Sequence, residues 1–142
     1  MSRGLVGTCV AAGGLCGAVA VITGAFGAHA LKATLDATGQ AANWETASRY
    51  ALMHALALVT TGLVAALPGA SRGLRSLAAA AWCFALGTAV FSGSLWALAL
   101  TGIRVLGAVV PIGGSLLVAG WALLATGGMR LGREADSGGA GR

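Results

Sequence analysis

The stretch from Gly4 to Leu31, GLVGTCVAAGGLCGAVAVITGAFGAHAL, contains no charged residue. It exceeds the roughly 20 apolar residues that an α-helix needs to cross a hydrocarbon core about 30 Å thick. Three further uncharged runs follow, from Tyr50 to Ser71, Ser76 to Ile103 and Val105 to Met129. Four spans use most of the 142 residues. The expected fold class is therefore an all-α membrane protein, a single four-transmembrane-helix bundle over residues 1–130. Its predicted spans run over about 5–29, 44–67, 77–100 and 104–128, and a flexible cytoplasmic tail is expected over 131–142.

Charge supports that division. Only 9% of the residues are charged, against about a quarter in a soluble domain. The nine basic residues are scattered between apolar runs, so they form no continuous basic face and nucleic acid is not an expected partner. They act instead as topology signals. With an even number of spans, Arg3, Arg72, Arg75, Arg130, Arg133 and Arg142 share one side, against Lys32, Arg49 and Arg104 on the other. The positive-inside rule then predicts both termini in the cytoplasm. Lys32 is the single lysine among the basic residues, a usage that points to a GC-rich genome and so to a bacterium.

Ala28-His29-Ala30 mimics a secretory cleavage site, but the preceding apolar stretch is too long for a signal-peptide core. The segment is read as a permanent first helix. Along it, Gly13, Gly17, Ala20, Gly24 and Gly27 recur at three- and four-residue spacing, a small-residue face that lets a second backbone approach closely. Cys9 and Cys16 fall on the same stripe. Leu5, Val19 and Ile22 are expected to meet lipid. The three cysteines lack the spacing of a zinc or redox motif and are read as small apolar residues.

Between the first two spans, Leu31 with Leu35 and Lys32 with Asp36 pair at i,i+4. They predict a short amphipathic helix at the outer surface, stopped at Thr38-Gly39. Asn43 is the expected N-cap of the second span, with Trp44 at the membrane interface. Pro68-Gly69 and Thr101-Gly102 mark turns. Pro111 should kink the fourth span, and Gly113-Gly114 fit close helix packing. No internal repeat relates the two hairpins, so nothing in the sequence argues for a transporter built from inverted repeats.

Depth, at about 1.5 Å per residue, gathers the polar residues in the outer half of the bilayer. The candidate cluster is His29, Tyr50, His54 and Ser92 or Ser94, rimmed by Glu45, Arg49 and Arg104. Polar groups at that depth must find partners or line a wet cavity. Structurally, each histidine bonds a neighbouring backbone or hydroxyl group and tightens the bundle. Functionally, His29 and His54 could serve a small solute or ion transporter or channel, or ligate haem or a metal as a redox subunit. Glu45 and Arg49 form an interfacial i,i+4 pair worth about 0.3–0.5 kcal/mol. Ser92 and Ser94 point in different directions, and one of them is expected to bond its own i−4 carbonyl. Only four carboxylates exist, and none joins a nucleophile and base deep in the bundle. The expectation is a protein that is not an enzyme, with no catalytic residue, metal or cofactor. Its expected partners are the lipid bilayer and a homo-oligomer or membrane complex.

Four segments also carry a resemblance: GAFGAHAL (Gly24 to Leu31), WETASRYALMHALAL (Trp44 to Leu58), LGTAVFSGSLWALAL (Leu86 to Leu100) and PIGGSLLVAGWALL (Pro111 to Leu124). In order and over nearly the whole chain they resemble the DUF423 family of small membrane proteins, which takes in the transmembrane protein 256 group. The resemblance implies a four-helix inner-membrane protein in bacteria, with mitochondrial relatives in animals. It implies no activity, because the family is defined as having unknown function. Val110 stands before Pro111 where the resemblance leads one to expect Thr, a departure that counts against any reading in which a hydroxyl there is essential.

Overall fold

The computed structural model describes residues 2–139, with side chains over residues 3–131. Five α-helices follow one another: α1 (Ser2–Ala28), α2 (Lys32–Ala37), α3 (Ala41–Ala66), α4 (Leu74–Thr101) and α5 (Val105–Gly139), with a 3-10 turn at Ala70–Arg72. Of these, α1, α3, α4 and α5 are long and apolar enough to cross a membrane. The chain is thus a four-span all-α bundle. The short helix α2 forms where the i,i+4 pairs predict it. Lys32 Nζ meets Asp36 Oδ2 at 2.9 Å, and Leu35 is buried under the turn.

The connections follow from local chemistry. Gly39 (φ 66°) and Gly102 (φ 69°) are left-handed, a conformation that ends a helix without a Cβ clash. Leu67 is extended ahead of Pro68 because the proline ring disfavours helical backbone in the residue before it. The second span, α3, starts three residues earlier than the sequence predicts. Gln40 takes the N-cap position, and Asn43, one turn inside the helix, donates from Nδ2 to Gln40 Oε1 at 2.8 Å. Asn43 is therefore not the cap. Nor does the last helix stop at 128: α5 runs on through Gly139, over part of the stretch expected as a tail. Arg130, Leu131, Arg133, Glu134 and Ala135 are adequate helix formers and no proline intervenes. Residues 140–142 and the side chains of Arg133, Glu134 and Asp136 lie outside the described residues.

Helix α1 packs along α3, α3 along α4, and α4 along α5, each pair antiparallel. Two different small-residue seams produce this order. On α1 the predicted glycine stripe faces α3. A Cβ added at Gly13 would come within 2.8 Å of the Ala55 carbonyl, one at Gly17 would touch Ala55, one at Gly24 Ser48, and one at Gly27 would collide with the Trp44 ring. Cys9 and Ala20 are buried in the same seam, and Val19 and Ile22 are exposed to the lipid side. Leu5 differs from expectation: it leans onto the core formed by Cys9, Leu58, Ala81 and Phe84.

The second seam was not visible as a motif. Gly113, Gly120 and Gly127 on α5 stand one heptad apart, opposite Phe91, Phe84 and Leu77 on α4, also one heptad apart. The Phe84 and Leu77 side chains fill the space that a Cβ would need, at 2.7 Å and 2.8 Å, and at Gly113 the Phe91 backbone itself does so, with N at 2.5 Å and Cα at 2.8 Å. Gly114 makes only ordinary contact with the Phe91 ring. A heptad repeat of this kind keeps one seam facing the partner along the whole helix.

Overpacking a close seam costs about 1–3 kcal/mol. Gly120→Leu should therefore lower the unfolding free energy, measured by circular dichroism during denaturant titration in detergent micelles, by about that amount. At Gly128 an added Cβ meets nothing, so Gly128→Leu should change stability by no more than about 0.5 kcal/mol.

Candidate functional site

Two groups of polar and aromatic side chains are centred on α3. The first lies near the end of the bundle where α1 stops and α3 begins. Trp44 is turned inward, 6% exposed, and its Nε1–H donates to the Thr23 carbonyl on α1 at 2.8 Å. It is not an interfacial anchor as the sequence suggests, because Gly27 leaves room for its ring beside α1. One turn along, Ser48 Oγ bonds Trp44 O at 3.1 Å and Thr23 Oγ1 at 3.3 Å, and it accepts from Trp96 Nε1 of α4 at 3.2 Å. The two indoles lie 6.3 Å apart. Ser92 Oγ, fully buried, reaches across from α4 to the Ala47 carbonyl of α3 at 2.8 Å. One hydroxyl and two indoles thus tie three helices together.

The second group is centred on His54, 3% exposed. Its Nδ1 lies 2.8 Å from the Tyr50 carbonyl. A carbonyl oxygen only accepts, so Nδ1 carries the proton. Its Nε2 lies 3.3 Å from Trp121 Nε1 on α5. Indole N–H only donates, so Nε2 must be the acceptor. His54 is therefore a neutral imidazole with both nitrogens engaged. Around it the rings of Tyr50, Phe91, Phe84 and Trp121 form a continuous cluster, with centroids 4.6 Å apart for Tyr50 and Phe91 and 5.2 Å for Phe84 and Trp121. Beside it lies a cavity of about 410 Å³ between α3 and α5, lined by Tyr50, Met53, His54, Phe91, Leu117 and Trp121.

Of the predicted cluster, the structure brings together Tyr50 and His54, whose rings stack at 5.8 Å. His29 does not join them. It is exposed in the turn after α1, beyond Gly27, which packs at the level of Trp44. Ten residues of α3, about 15 Å of rise, separate that level from His54. A shared two-histidine site has no geometric basis, and the reason is register: α1 pairs Cys16, not His29, with this depth of α3, through Cys16 Sγ and the Ala51 carbonyl at 3.5 Å. Ser92 belongs to the Trp44 group, and Ser94 is half-buried with no hydrogen bond found for its side chain. Neither serine bonds its own i−4 carbonyl, as had been expected of one of them; the cross-helix acceptor at Ala47 takes that role for Ser92. Glu45 and Arg49 form the predicted i,i+4 ion pair, with both side chains well exposed. Arg104 is exposed in the turn before α5. Among the described residues no three His, Cys, Asp or Glu side chains converge as a metal site.

Most residues of these two groups fall within the stretch that matches a known family. The family model described as "Protein of unknown function (DUF423)" matches residues 23–114. The chain belongs to the DUF423 family. It is 43% identical over 112 residues to a UPF0382 membrane protein of Staphylococcus haemolyticus, covering 79% of this chain and 87% of that protein. It is 38% identical over 128 residues to the UPF0382 inner membrane protein YgdD of Escherichia coli, covering 85% and 88%. A UPF0382 membrane protein of Bacillus subtilis, YwdK, is 38% identical over 107 residues. No solved structure matches. The family span takes in Thr23, Trp44, Ser48, His54, Ser92 and Trp96 but ends before Trp121.

Sequence inspection missed Trp44, Ser48, Thr23, Trp96 and Trp121 as partners. The spacing of Trp44, Ser48 and Ala51 with the buried stripe of α3 was available as a signal, since it places the indole on the packed face. Truncating His54 to Ala leaves the Trp121 N–H without an acceptor and opens the ring cluster. Unfolding in micelles should show a loss of about 3 kcal/mol, whereas His29→Ala should stay within about 0.5 kcal/mol.

Proposed function

We propose that the protein is a non-enzymatic subunit of the bacterial inner membrane, with both termini cytoplasmic, that works by assembling with other membrane chains. One observation carries this reading: the polar side chains of the two groups centred on α3 are engaged in joining helices. His54 has both ring nitrogens bonded, and Ser92, Ser48, Trp44 and Trp96 each bridge to another helix. Such bonds are worth about 0.6 kcal/mol each in bilayers, enough in sum to fix the register of helices that lipid does not drive together. None of these groups is left poised to take up a proton or polarise a substrate. The separation of His29 from His54 also removes the shared cavity on which a histidine-based transporter or haem subunit would rest. Support for the location comes from the excess of arginine in the termini and in the α3–α4 connection, and from the relative of Escherichia coli described as an inner membrane protein.

Blue-native electrophoresis after extraction from the membrane in mild detergent tests this reading. The expected species migrates well above a single 13.8 kDa chain in its detergent micelle. A lone monomer with no co-purifying protein would contradict it.

A further inference from the structure

Helices α1 and α4 both lean on α3 but scarcely touch each other. Between them runs a groove of about 300 Å³, walled by Ala12, Cys16 and Val19 of α1 and by Ala85, Ala89 and Gly93 of α4. A Cβ added at Gly93 meets nothing, so no contact within the chain accounts for the small residue there.

Thr88 lines the same groove. It is 5% exposed, and among the described residues its Oγ1 is the buried side-chain polar atom that has no hydrogen-bond partner. The other buried hydroxyls, on Ser48, Thr61 and Ser92, all donate to a carbonyl. A buried hydroxyl without a partner is costly in hydrocarbon. Thr88 lies midway along α4, near the middle of the membrane. An acyl chain filling the groove offers no acceptor there. A closely approaching helix does, because a helical carbonyl keeps a second lone pair, and rotation about χ1 turns the hydroxyl, which is covered within one copy, toward the groove. This chain already uses that chemistry where Ser92 donates to Ala47 and Trp44 to Thr23.

The depth of Thr88 identifies a matching helix. Ser92 is level with Ala47, so Thr88, one turn away, is level with Ala51, and Ala51 is level with Cys16. In a second copy inserted the same way up, α1 presents Gly14 and Ala18 at this depth. Gly7, Ala11, Gly14 and Ala18 are all exposed on the side of α1 opposite its α3 seam, and at Gly7 and Gly14 an added Cβ meets nothing. We propose that the α1/α4 groove is a self-association surface, filled by the Gly7–Ala18 face of α1 from a second copy, with Thr88 donating to a backbone carbonyl of that helix. A two-fold axis along the membrane normal makes the exchange reciprocal, each copy's α1 entering the other's groove. The proposal rests on the assembling-subunit reading and specifies its partner and surface.

Energy transfer between donor- and acceptor-labelled full-length copies in liposomes tests it. The wild type should associate, and Gly14→Leu and Ala11→Leu should each weaken association by about tenfold or more. Thr88→Val should weaken it about threefold, and Thr88→Ser should restore it. In detergent dilute enough to keep the copies apart, the melting curves of Gly14→Leu and Ala11→Leu should match the wild type, since both leucines point into space that is open within one copy. Association unaffected by Gly14→Leu and Thr88→Val would overturn this surface while leaving the subunit reading intact. A wild type that shows no transfer but co-purifies with a different membrane protein would overturn self-association alone. A wild type that is solitary in both measurements would overturn both.

Discussion

Lipid is as apolar as leucine, so nothing in a bilayer pushes two apolar helices together as water does. The bundle depends instead on backbone proximity, and that proximity depends on missing side chains. Where α1 meets α3, Gly13, Gly17, Gly24 and Gly27 bring the backbones close enough for Trp44 to reach the Thr23 carbonyl and Cys16 the Ala51 carbonyl. Where α5 meets α4, Gly113, Gly120 and Gly127 admit Phe91, Phe84 and Leu77. The second seam has the further effect of placing Trp121 beside His54. Add a Cβ at Gly13, Gly27, Gly113, Gly120 or Gly127 and the neighbouring helix must shift, which strains the polar bonds behind it. Close packing comes first, and hydrogen bonding fixes its register.

Much of this was legible in the residues. Uncharged runs between arginines located the spans, because a charge inside hydrocarbon is expensive and its absence over a membrane's thickness is informative. The α1 stripe was readable because its glycines recur at helical spacing on one face. The α5 seam was harder to read. Its glycines are a heptad apart and Gly114 sits beside Gly113, so the pair draws the eye and the periodicity does not. Partnership was less legible than position. His29 and His54 invite pairing as the two histidines of neighbouring spans, but depth sets His29 shallower, and the register of α1 against α3 brings Cys16 to the Ala51 carbonyl instead. Trp44 looked interfacial by its place near a span end. The small residue opposite it, Gly27, turns it inward, and that fact belongs to another helix.

The functional consequence lies in the contrast between polar groups that are satisfied and the one that is not. Around His54 every nitrogen and every neighbouring indole has a partner, so the most conspicuous residue of the chain holds the fold. Thr88 is inconspicuous in sequence, one threonine in an apolar helix, yet it is the buried hydroxyl that the described chain leaves unbonded. Polar residues in membrane helices invite a functional interpretation in proportion to their chemistry, with histidine first. Here the accounting of donors and acceptors reverses that order and moves attention from the α3/α5 face to the α1/α4 groove.

The central claim is that the deep polar residues of this family member serve to join helices, and His54 carries it most directly. Nitrogen-15 magnetic resonance of the histidine side chains in bilayers reads the protonation of each ring nitrogen. The account predicts for His54 a neutral ring with its proton on Nδ1 and an Nε2 that accepts from the Trp121 indole N–H. A proton on Nε2, or a ring nitrogen bound to a metal, would contradict it.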